Sequence, residues 1–307
     1  MCDRTRLRAL EATLRSQCSW GQLEALRDLR HAEVSHKWIW HLDSRRGTVL
    51  APCDYIVSVQ RRLGARMYEG EGQCRLCGVP LDPQLEHSDC CDPAGATRGH
   101  YAVVHALVRG LKLADPAITT EPRGPTTTQS RPADILTSAA VPGRSAALDV
   151  CVASPNASGA AGDAAEAAFA RKLRRYRREI QELRAAGIAF RPMVWTSNGR
   201  PHPAVTRTLK HAAEIAANRS DQQVDASTLL SRWRHEVQVA IQRRRAAMTR
   251  AVLPRASSDT AWLLTGYSGS VPSSDWRAAP LAESDAEAEE GEAGEAGDEE
   301  ANGELFF

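Results

Sequence analysis

Apolar residues recur along the chain with two different spacings, which separate helical from extended stretches. Leucines return about every 3.6 residues over residues 4–34, with an interruption at Trp20 and Gly21, and this spacing predicts helical structure. Further helices are predicted over residues 55–63, 100–112, 164–186, 203–218 and 225–250. Asp163 supplies an N-cap before the third of these helices, and Gly187 ends it.

Strict alternation of apolar and polar positions marks the clearest strand, at residues 146–153. Leu148 and Val150 face one side of this strand, whereas Asp149 and Cys151 face the other. Shorter strands are predicted near residues 118–121, 134–137 and 190–196. We therefore expect an α/β domain, with helices on both sides of the strands in the sequence.

Charge is distributed unevenly, although the net value over 307 residues is only +1. All 39 lysines and arginines precede residue 281, whereas 11 of the 38 acidic residues follow residue 280, so residues 1–280 carry a net charge of +12. A body this basic favours a polyanionic partner such as DNA or RNA, and a solvated arginine-rich surface is the alternative. Residues 281–307 consist mainly of Glu, Ala and Gly, which predicts a disordered acidic tail.

Eight cysteines occur in a sequence without a secretory or membrane-spanning pattern. No charged-then-apolar leader opens the chain and no run of about 18 apolar residues occurs, so we expect an intracellular protein that is neither secreted nor inserted in a membrane. Clustered cysteines in a reducing interior favour metal binding over disulfides.

The cysteine cluster has the spacing of a zinc site. Cys74 and Cys77 form a Cys-x2-Cys turn that delivers two thiolates from one loop, and Gly78 gives the backbone the necessary freedom. The predicted zinc ligands are Cys74, Cys77, His87 and Cys91, with Cys90 or His100 as alternatives for the fourth position. Bound Zn²⁺ would stabilise such a module by on the order of 10 kcal/mol. A reduced cysteine cluster without metal is the alternative.

A second group of candidates lies in the predicted sheet and the helix that follows it. Asp134 and Asp149 flank or interrupt short apolar runs, Glu121 lies upstream, and Lys172 and Tyr176 share one helix face. Two or three carboxylates can hold Mg²⁺, and a nearby lysine can orient water or offset charge on a phosphate. These residues form a candidate site for phosphodiester cleavage, although such residues are also common on helices and strands without catalytic function.

The order of these motifs is more specific than any one of them. The motifs are Cys-x2-Cys-Gly at 74–78, Glu-His at 86–87, Arg-Gly-His at 98–100, Arg-Pro-Ala-Asp-Ile at 131–135, Ala-Leu-Asp-Val-Cys-Val at 147–152, Lys-x3-Tyr at 172–176 and Gly-Ile-x-Phe-x-Pro at 187–192. Together they resemble the C-terminal region of non-LTR retrotransposon polyproteins, where a zinc knuckle precedes a restriction-like endonuclease domain of the PD-(D/E)XK fold. The resemblance covers roughly residues 36–250.

The resemblance implies a zinc knuckle joined to a nuclease domain with a small mixed sheet flanked by helices. It implies that Asp134 and Asp149 bind Mg²⁺, that Lys172 and Tyr176 act in catalysis, and that Glu121 is a less secure upstream acid. The implied organisation is a helical segment at 1–72, the knuckle at 73–112, the nuclease at 113–253 and the tail at 254–307. The expected activity is Mg²⁺-dependent nicking of DNA in the nucleus, and a catalytically inactive nucleic-acid-binding remnant is the alternative.

Three departures from the family pattern bear on activity. The strand lysine of the usual motif is absent after Asp149, so that activity would depend on Lys172 alone. Ala133 separates the proline of the first motif from Asp134. No reverse-transcriptase motif such as Tyr-x-Asp-Asp occurs in the chain, so the resemblance is to the nuclease end of such polyproteins only.

Overall fold

The computed structural model of the chain describes residues 20–40, 48–68, 71–94, 96–122, 126, 133–157, 162–219 and 224–254. Within them the helices are α1 (Trp20–Leu29), α2 (Pro52–Arg62), α3 (Ala96–Leu111), α4 (Ala164–Arg175), α5 (Arg177–Ala185), α6 (Pro203–Arg219) and α7 (Ala226–Val252). The strands are β1 (Thr119–Thr120), β2 (Ile135–Val141), β3 (Arg144–Ala153) and β4 (Ala189–Thr196). The helix predicted before residue 20, the motif residues Arg131 and Pro132, and the acidic tail beyond residue 254 lie outside the described residues.

The four strands form one open mixed sheet in the order β1-β2-β3-β4. The first three strands are antiparallel neighbours, and a tight turn with Gly143 at φ 72° joins β2 to β3. Strand β4 runs parallel to β3, with Asp149 opposite Pro192. A parallel neighbour requires a crossover connection, and the described part of that connection consists of α4 and α5. The predicted α/β class with a small mixed sheet is therefore confirmed.

Helices cover both faces of this sheet. The larger core joins β2, β3 and β4 to α3, α6 and α7 through buried side chains such as Leu107, Leu148, Leu209 and Trp233. The opposite face packs against α4 and α5 through smaller groups of residues that include Ala168. Each fully buried leucine contributes about 1.5–3 kcal/mol of hydrophobic stabilisation, so the larger core dominates the folding energy. No described helix has the length and apolar character that crossing a bilayer would require.

Helix α1 is held to the end of β4 by a buried polar network. Asp28 is fully buried and accepts hydrogen bonds from Thr196 Oγ1 at 2.6 Å and Asn198 Nδ2 at 3.0 Å, and it also pairs with Arg200. Arg200 makes a second ion pair, of 2.8 Å, with Asp163 at the start of α4. The network therefore connects α1, the turn after β4 and the crossover helix.

Two details differ from the sequence predictions. The helix predicted over residues 164–186 breaks at Tyr176, where the backbone leaves helical geometry at φ −96° and ψ 25°. The Tyr176 ring is buried against Phe190 of β4 at a centroid distance of 5.5 Å, a contact that helical periodicity does not encode. The three consecutive arginines at 243–245 predict a basic outer face on the last helix, but Arg245 turns inward and pairs with Asp89 at 2.8 Å.

Candidate functional site

Cys74 and Cys77 lie on a short hydrogen-bonded turn. The Cys74 N–H donates to Val79 O and the Gly78 N–H to Cys74 O, both at 2.8 Å. Gly78 has φ 77°, which glycine adopts without strain. The Leu76 N–H points at Cys74 Sγ at 3.4 Å, so the turn also orients a donor towards the sulfur.

His87 reaches the cysteines by way of a short 3-10 helix, Glu86–Cys90. The carboxylate of Asp82 organises the entrance to this helix by accepting backbone N–H groups from Gln84 at 3.0 Å, Glu86 at 2.9 Å and His87 at 3.1 Å. This carboxylate-centred loop spans the long interval between Cys77 and His87. These hydrogen bonds therefore position the backbone of His87 without the help of a metal ion.

The four predicted ligands converge. The ligand atoms of Cys74, Cys77, His87 and Cys91 all lie within 4.8 Å of one another. Cys91 Sγ lies 3.7 Å from Cys74 Sγ and 3.8 Å from Cys77 Sγ, which matches the edge of about 3.8 Å in a tetrahedron with Zn–S arms of about 2.3 Å. This Cys3His cluster could hold a metal such as zinc.

The two alternatives for the fourth ligand point elsewhere. Cys90 Sγ contacts Ser154 Oγ at 3.3 Å, and His100 Nε2 lies 3.0 Å from Asp134 Oδ1. Neither belongs to the cluster of converging ligand atoms. Adjacent residues in the chain, Cys90 and Cys91, thus project in different directions from the end of the 3-10 helix.

The thiols differ in acidity. Burial opposes ionisation of Cys74, but hydrogen bonds from the backbone of Leu76 and Cys77 and from the His87 side chain lower its pKa to about 7. Burial and the neighbouring thiols raise the pKa of Cys91 to about 12. Near neutral pH Cys74 is therefore partly ionised without metal, whereas Cys91 stays protonated unless a cation stabilises its thiolate.

The segment that carries the Cys3His cluster packs on the C-terminal half of α7. Cys74 and Cys91 are buried in a small core with Ala246 and Val252 of that helix. Below them Asp89 is buried between Arg61 of α2, at 3.0 Å, and Arg245 of α7, at 2.8 Å. The Cys3His cluster is therefore fixed to the helix that also forms one wall of the central cleft.

Asp134 and Asp149 meet because of the register between β2 and β3. Asp134 directly precedes β2, and its N–H donates to Leu148 O at 2.9 Å, so it lies beside Asp149 on the neighbouring strand. The Asp134 carboxylate accepts the Val150 N–H at 2.6 Å. Its other oxygen contacts His100 of α3 at 3.0 Å.

Lys172 of α4 reaches over the sheet to Asp149. Its Nζ lies 3.0 Å from Asp149 Oδ1 and 2.9 Å from Oδ2. The geometry at Oδ2 is not that of a hydrogen bond, and this buried oxygen has no other partner among the described residues. Asp149 therefore presents one buried carboxylate oxygen with unused acceptor capacity.

Burial dominates the electrostatics of this pair. Desolvation raises the pKa of Asp149 to about 6, with a smaller contribution from Asp134 and in spite of the attraction of Lys172. Burial opposes the charge of Lys172, but Asp149 and Cys151 outweigh it and raise the lysine pKa. Lys172 is therefore a permanent cation, while Asp149 is a carboxylate held in an environment that disfavours its charge.

The remaining predicted residues occupy different positions. The Tyr176 ring lies 5.7 Å from Lys172 Nζ, burial raises the pKa of its hydroxyl, and the residue lines the same cleft. Glu121 is not among the residues that line this cleft, and its carboxylate accepts a hydrogen bond from the Tyr101 hydroxyl at 2.8 Å. Sequence reasoning considered His100 only as a zinc ligand and missed its contact with Asp134, which depends on the packing of α3 against β3.

These groups surround one cleft of about 380 Å³. Its floor is β3, one wall is α4 and the other wall is α7. The charged residues that line it are Asp89, Asp134, Asp149, Arg171, Lys172, Arg175, Arg244 and Arg245. A cleft with two carboxylates at its floor and several cations on its walls is suited to a metal ion and a phosphate.

Comparisons with known proteins provide no family assignment. The sequence matches no model of a known protein family and no curated protein with significance.

Proposed function

We propose that this chain is a Mg²⁺-dependent endonuclease that nicks DNA, related to the restriction-like nuclease of non-LTR retrotransposons. The observation that carries the proposal is the meeting of Asp134, Asp149 and Lys172 in one cleft. Two carboxylates that can hold a metal ion, and a lysine beside them, are groups that can promote phosphodiester hydrolysis. The motif order in the sequence supports the same reading.

The donors in the cleft fit a magnesium ion. Mg²⁺ prefers one or two carboxylates and otherwise keeps water or substrate oxygens as ligands. Asp149 Oδ2 is a buried oxygen without a hydrogen bond to a described residue, and its burial raises the pKa of the group to about 6. A bound Mg²⁺ would supply positive charge to the phosphate and lower the pKa of an attacking water.

The protein groups have separable roles in this proposal. Asp134 and Asp149 hold the metal, and His100 and the Val150 N–H keep the Asp134 carboxylate in a fixed orientation. Lys172 offsets the negative charge that develops on the phosphate. Tyr176 packs beside Lys172 and limits its freedom.

Zinc has a structural role in the same proposal. The Cys3His cluster would hold Zn²⁺ and fix the knuckle against α7. This arrangement contributes folding energy and leaves no ligand position open for catalysis. Action on chromosomal DNA, and hence nuclear location, belongs to the proposal as well.

The test is conversion of supercoiled plasmid to open circles by the purified protein. We expect nicking with Mg²⁺, none in magnesium-free buffer, and loss of at least two orders of magnitude in Asp149→Ala and Lys172→Ala. Lys210→Ala, which removes an exposed lysine on α6, is the matched control and should cut at the wild-type rate. Wild-type cleavage by Asp149→Ala would show that the assignment is wrong. DNA binding without cleavage would favour the inactive nucleic-acid-binding remnant instead.

A further inference from the structure

Three consecutive arginines on α7 have three different environments. Arg243 donates to Val49 O at 3.0 Å, on the side of the helix away from the cleft wall. Arg245 pairs with Asp89 at 2.8 Å and also donates to Asn198 Oδ1 at 2.5 Å. Arg244 lines the cleft, is half-buried, and makes no hydrogen bond or ion pair with any residue that the structure describes.

Among the residues that the structure describes, no carboxylate forms an ion pair or a hydrogen bond with Arg244. Asp89 attracts it at longer range, but Asp89 is itself held between Arg61 and Arg245. Burial consequently lowers the pKa of Arg244 to about 10. A guanidinium carries five N–H donors, and a partly desolvated one without acceptors is costly unless a ligand supplies them.

A second arginine occupies the facing wall. Arg171 of α4 lines the same cleft, is half-buried, and likewise makes no hydrogen bond or ion pair with a described residue. Two of the cleft's three carboxylates are already neutralised, Asp149 by Lys172 and Asp89 by Arg245. The two walls therefore present positive charge on either side of the carboxylate floor.

We propose that Arg244 and Arg171 form a phosphate-binding site that holds the DNA backbone as the strand crosses the cleft. Guanidinium groups bind phosphate oxygens bidentately, which suits both of these side chains. The proposal rests on the proposed function for the identity of the ligand. These arginines position the strand, while the reacting atoms are contacted by the groups on the floor.

The site predicts a specific change in salt-dependent binding. The full chain is titrated with a fluorescent DNA duplex in Ca²⁺ in place of Mg²⁺, to prevent cleavage, at several NaCl concentrations. Arg244→Gln and Arg171→Gln should each weaken binding about tenfold and reduce the salt slope by about one. Arg244→Lys should keep the slope and recover part of the affinity, because it restores the charge but not the bidentate geometry. Arg243→Gln, with the same charge change one residue away, should stay within about twofold of wild type.

The outcomes separate this inference from the proposed function. Equal losses of DNA affinity in Arg243→Gln and Arg244→Gln would indicate general charge attraction and would overturn the site. Unchanged affinity in Arg244→Gln would also overturn it, and so would a wild type that does not bind DNA. Thermal unfolding of each variant distinguishes a lost contact from a lost fold, and Arg244→Lys provides the test if Arg244→Gln is unfolded. Arg244-dependent binding by a wild type that never nicks would keep the site and refute the nuclease. Mg²⁺-dependent nicking by the wild type, together with wild-type DNA binding by Arg244→Gln, would support the nuclease and refute the phosphate-binding site.

Discussion

Replacing Asp149 with asparagine tests the proposed magnesium site through folding stability as well as through cleavage. Asparagine keeps the shape of the side chain and removes the buried charge. In magnesium-free buffer at pH 8 we expect Asp149→Asn to be more stable than the wild type. The reason is that the folded protein raises the pKa of this carboxyl to about 6, so that its ionised form is disfavoured there.

The magnitude follows from that shift. An unperturbed aspartate has a pKa of about 3.9, and each unit of difference corresponds to about 1.4 kcal/mol, so the ionised Asp149 destabilises the fold by up to about 3 kcal/mol. The attraction of Lys172 is already included in the shifted pKa. Because the folded pKa is raised above the unfolded value, the wild type gains this amount of stability below about pH 4, relative to pH 8, and loses it as the pH rises through about 6. The advantage of Asp149→Asn should therefore disappear in acid.

The assay is thermal or urea unfolding without chelator, so that a zinc ion in the cysteine cluster is undisturbed. For a domain of this size about 3 kcal/mol corresponds to a rise of roughly 6–12 °C in Tm. Adding Mg²⁺ at about ten times its Kd should stabilise the wild type by about 1.4 kcal/mol and leave Asp149→Asn unchanged. Asp115→Asn is the control of opposite sign, because hydrogen bonds from Thr137 and Ser138 overcome burial and lower the pKa of Asp115. A less stable Asp149→Asn at pH 8 would refute the reasoning and make Asp149 a structural ion-pair partner.

Three further predictions concern the framework. Cys91→Ala should lose bound zinc, measured by elemental analysis, and unfold at a lower temperature than Cys53→Ala, whose cysteine is outside the cluster. Asp28→Ala should cost about 3–5 kcal/mol in urea unfolding, because it leaves Arg200 buried with fewer partners, and a loss below about 1 kcal/mol would contradict this. Gly199→Ala should be destabilised by several kcal/mol in the same assay, since its φ is 94° and a Cβ would lie 1.7 Å from Gln238 Oε1. Gly143→Ala, with φ 72° and open space, should lose only about 1–2 kcal/mol.

Sequence patterns were sufficient to predict the positions of side chains that lie together on one strand or one turn. The alternation over residues 146–153 correctly assigned Leu148 and Val150 to the larger core and Asp149 to the opposite face. The Cys-x2-Cys spacing identified half of the Cys3His cluster for the same reason, since both thiols lie on one turn. The spacing from His87 also favoured Cys91 over Cys90, and the structure agrees, because Cys91 Sγ faces the cluster whereas Cys90 Sγ contacts Ser154.

Contacts between distant elements could not be read from spacing. The break at Tyr176 lies in an unbroken helical pattern and arises from packing on Phe190 of a later strand. The contact of His100 with Asp134 depends on how α3 lies against the sheet. The run of arginines on α7 looks like a solvated basic face in the sequence, and only the positions of Asp89 and the cleft distinguish Arg244 from its neighbours.

Helix α7 links the two candidate sites physically. It is 27 residues long, and Trp233 near its start packs in the larger core. Arg244 and Arg245 form a cleft wall, and Ala246 and Val252 pack in the small core that contains the cysteine cluster. A metal bound by the Cys3His cluster would hold its loop against the end of this helix. It would thereby also fix the position of Arg244, because Arg244 lies on the same rigid helix. If the chain binds DNA as proposed, removing zinc should weaken that binding and shift its salt dependence in the same direction as Arg244→Gln, even though no residue of the Cys3His cluster lines the cleft.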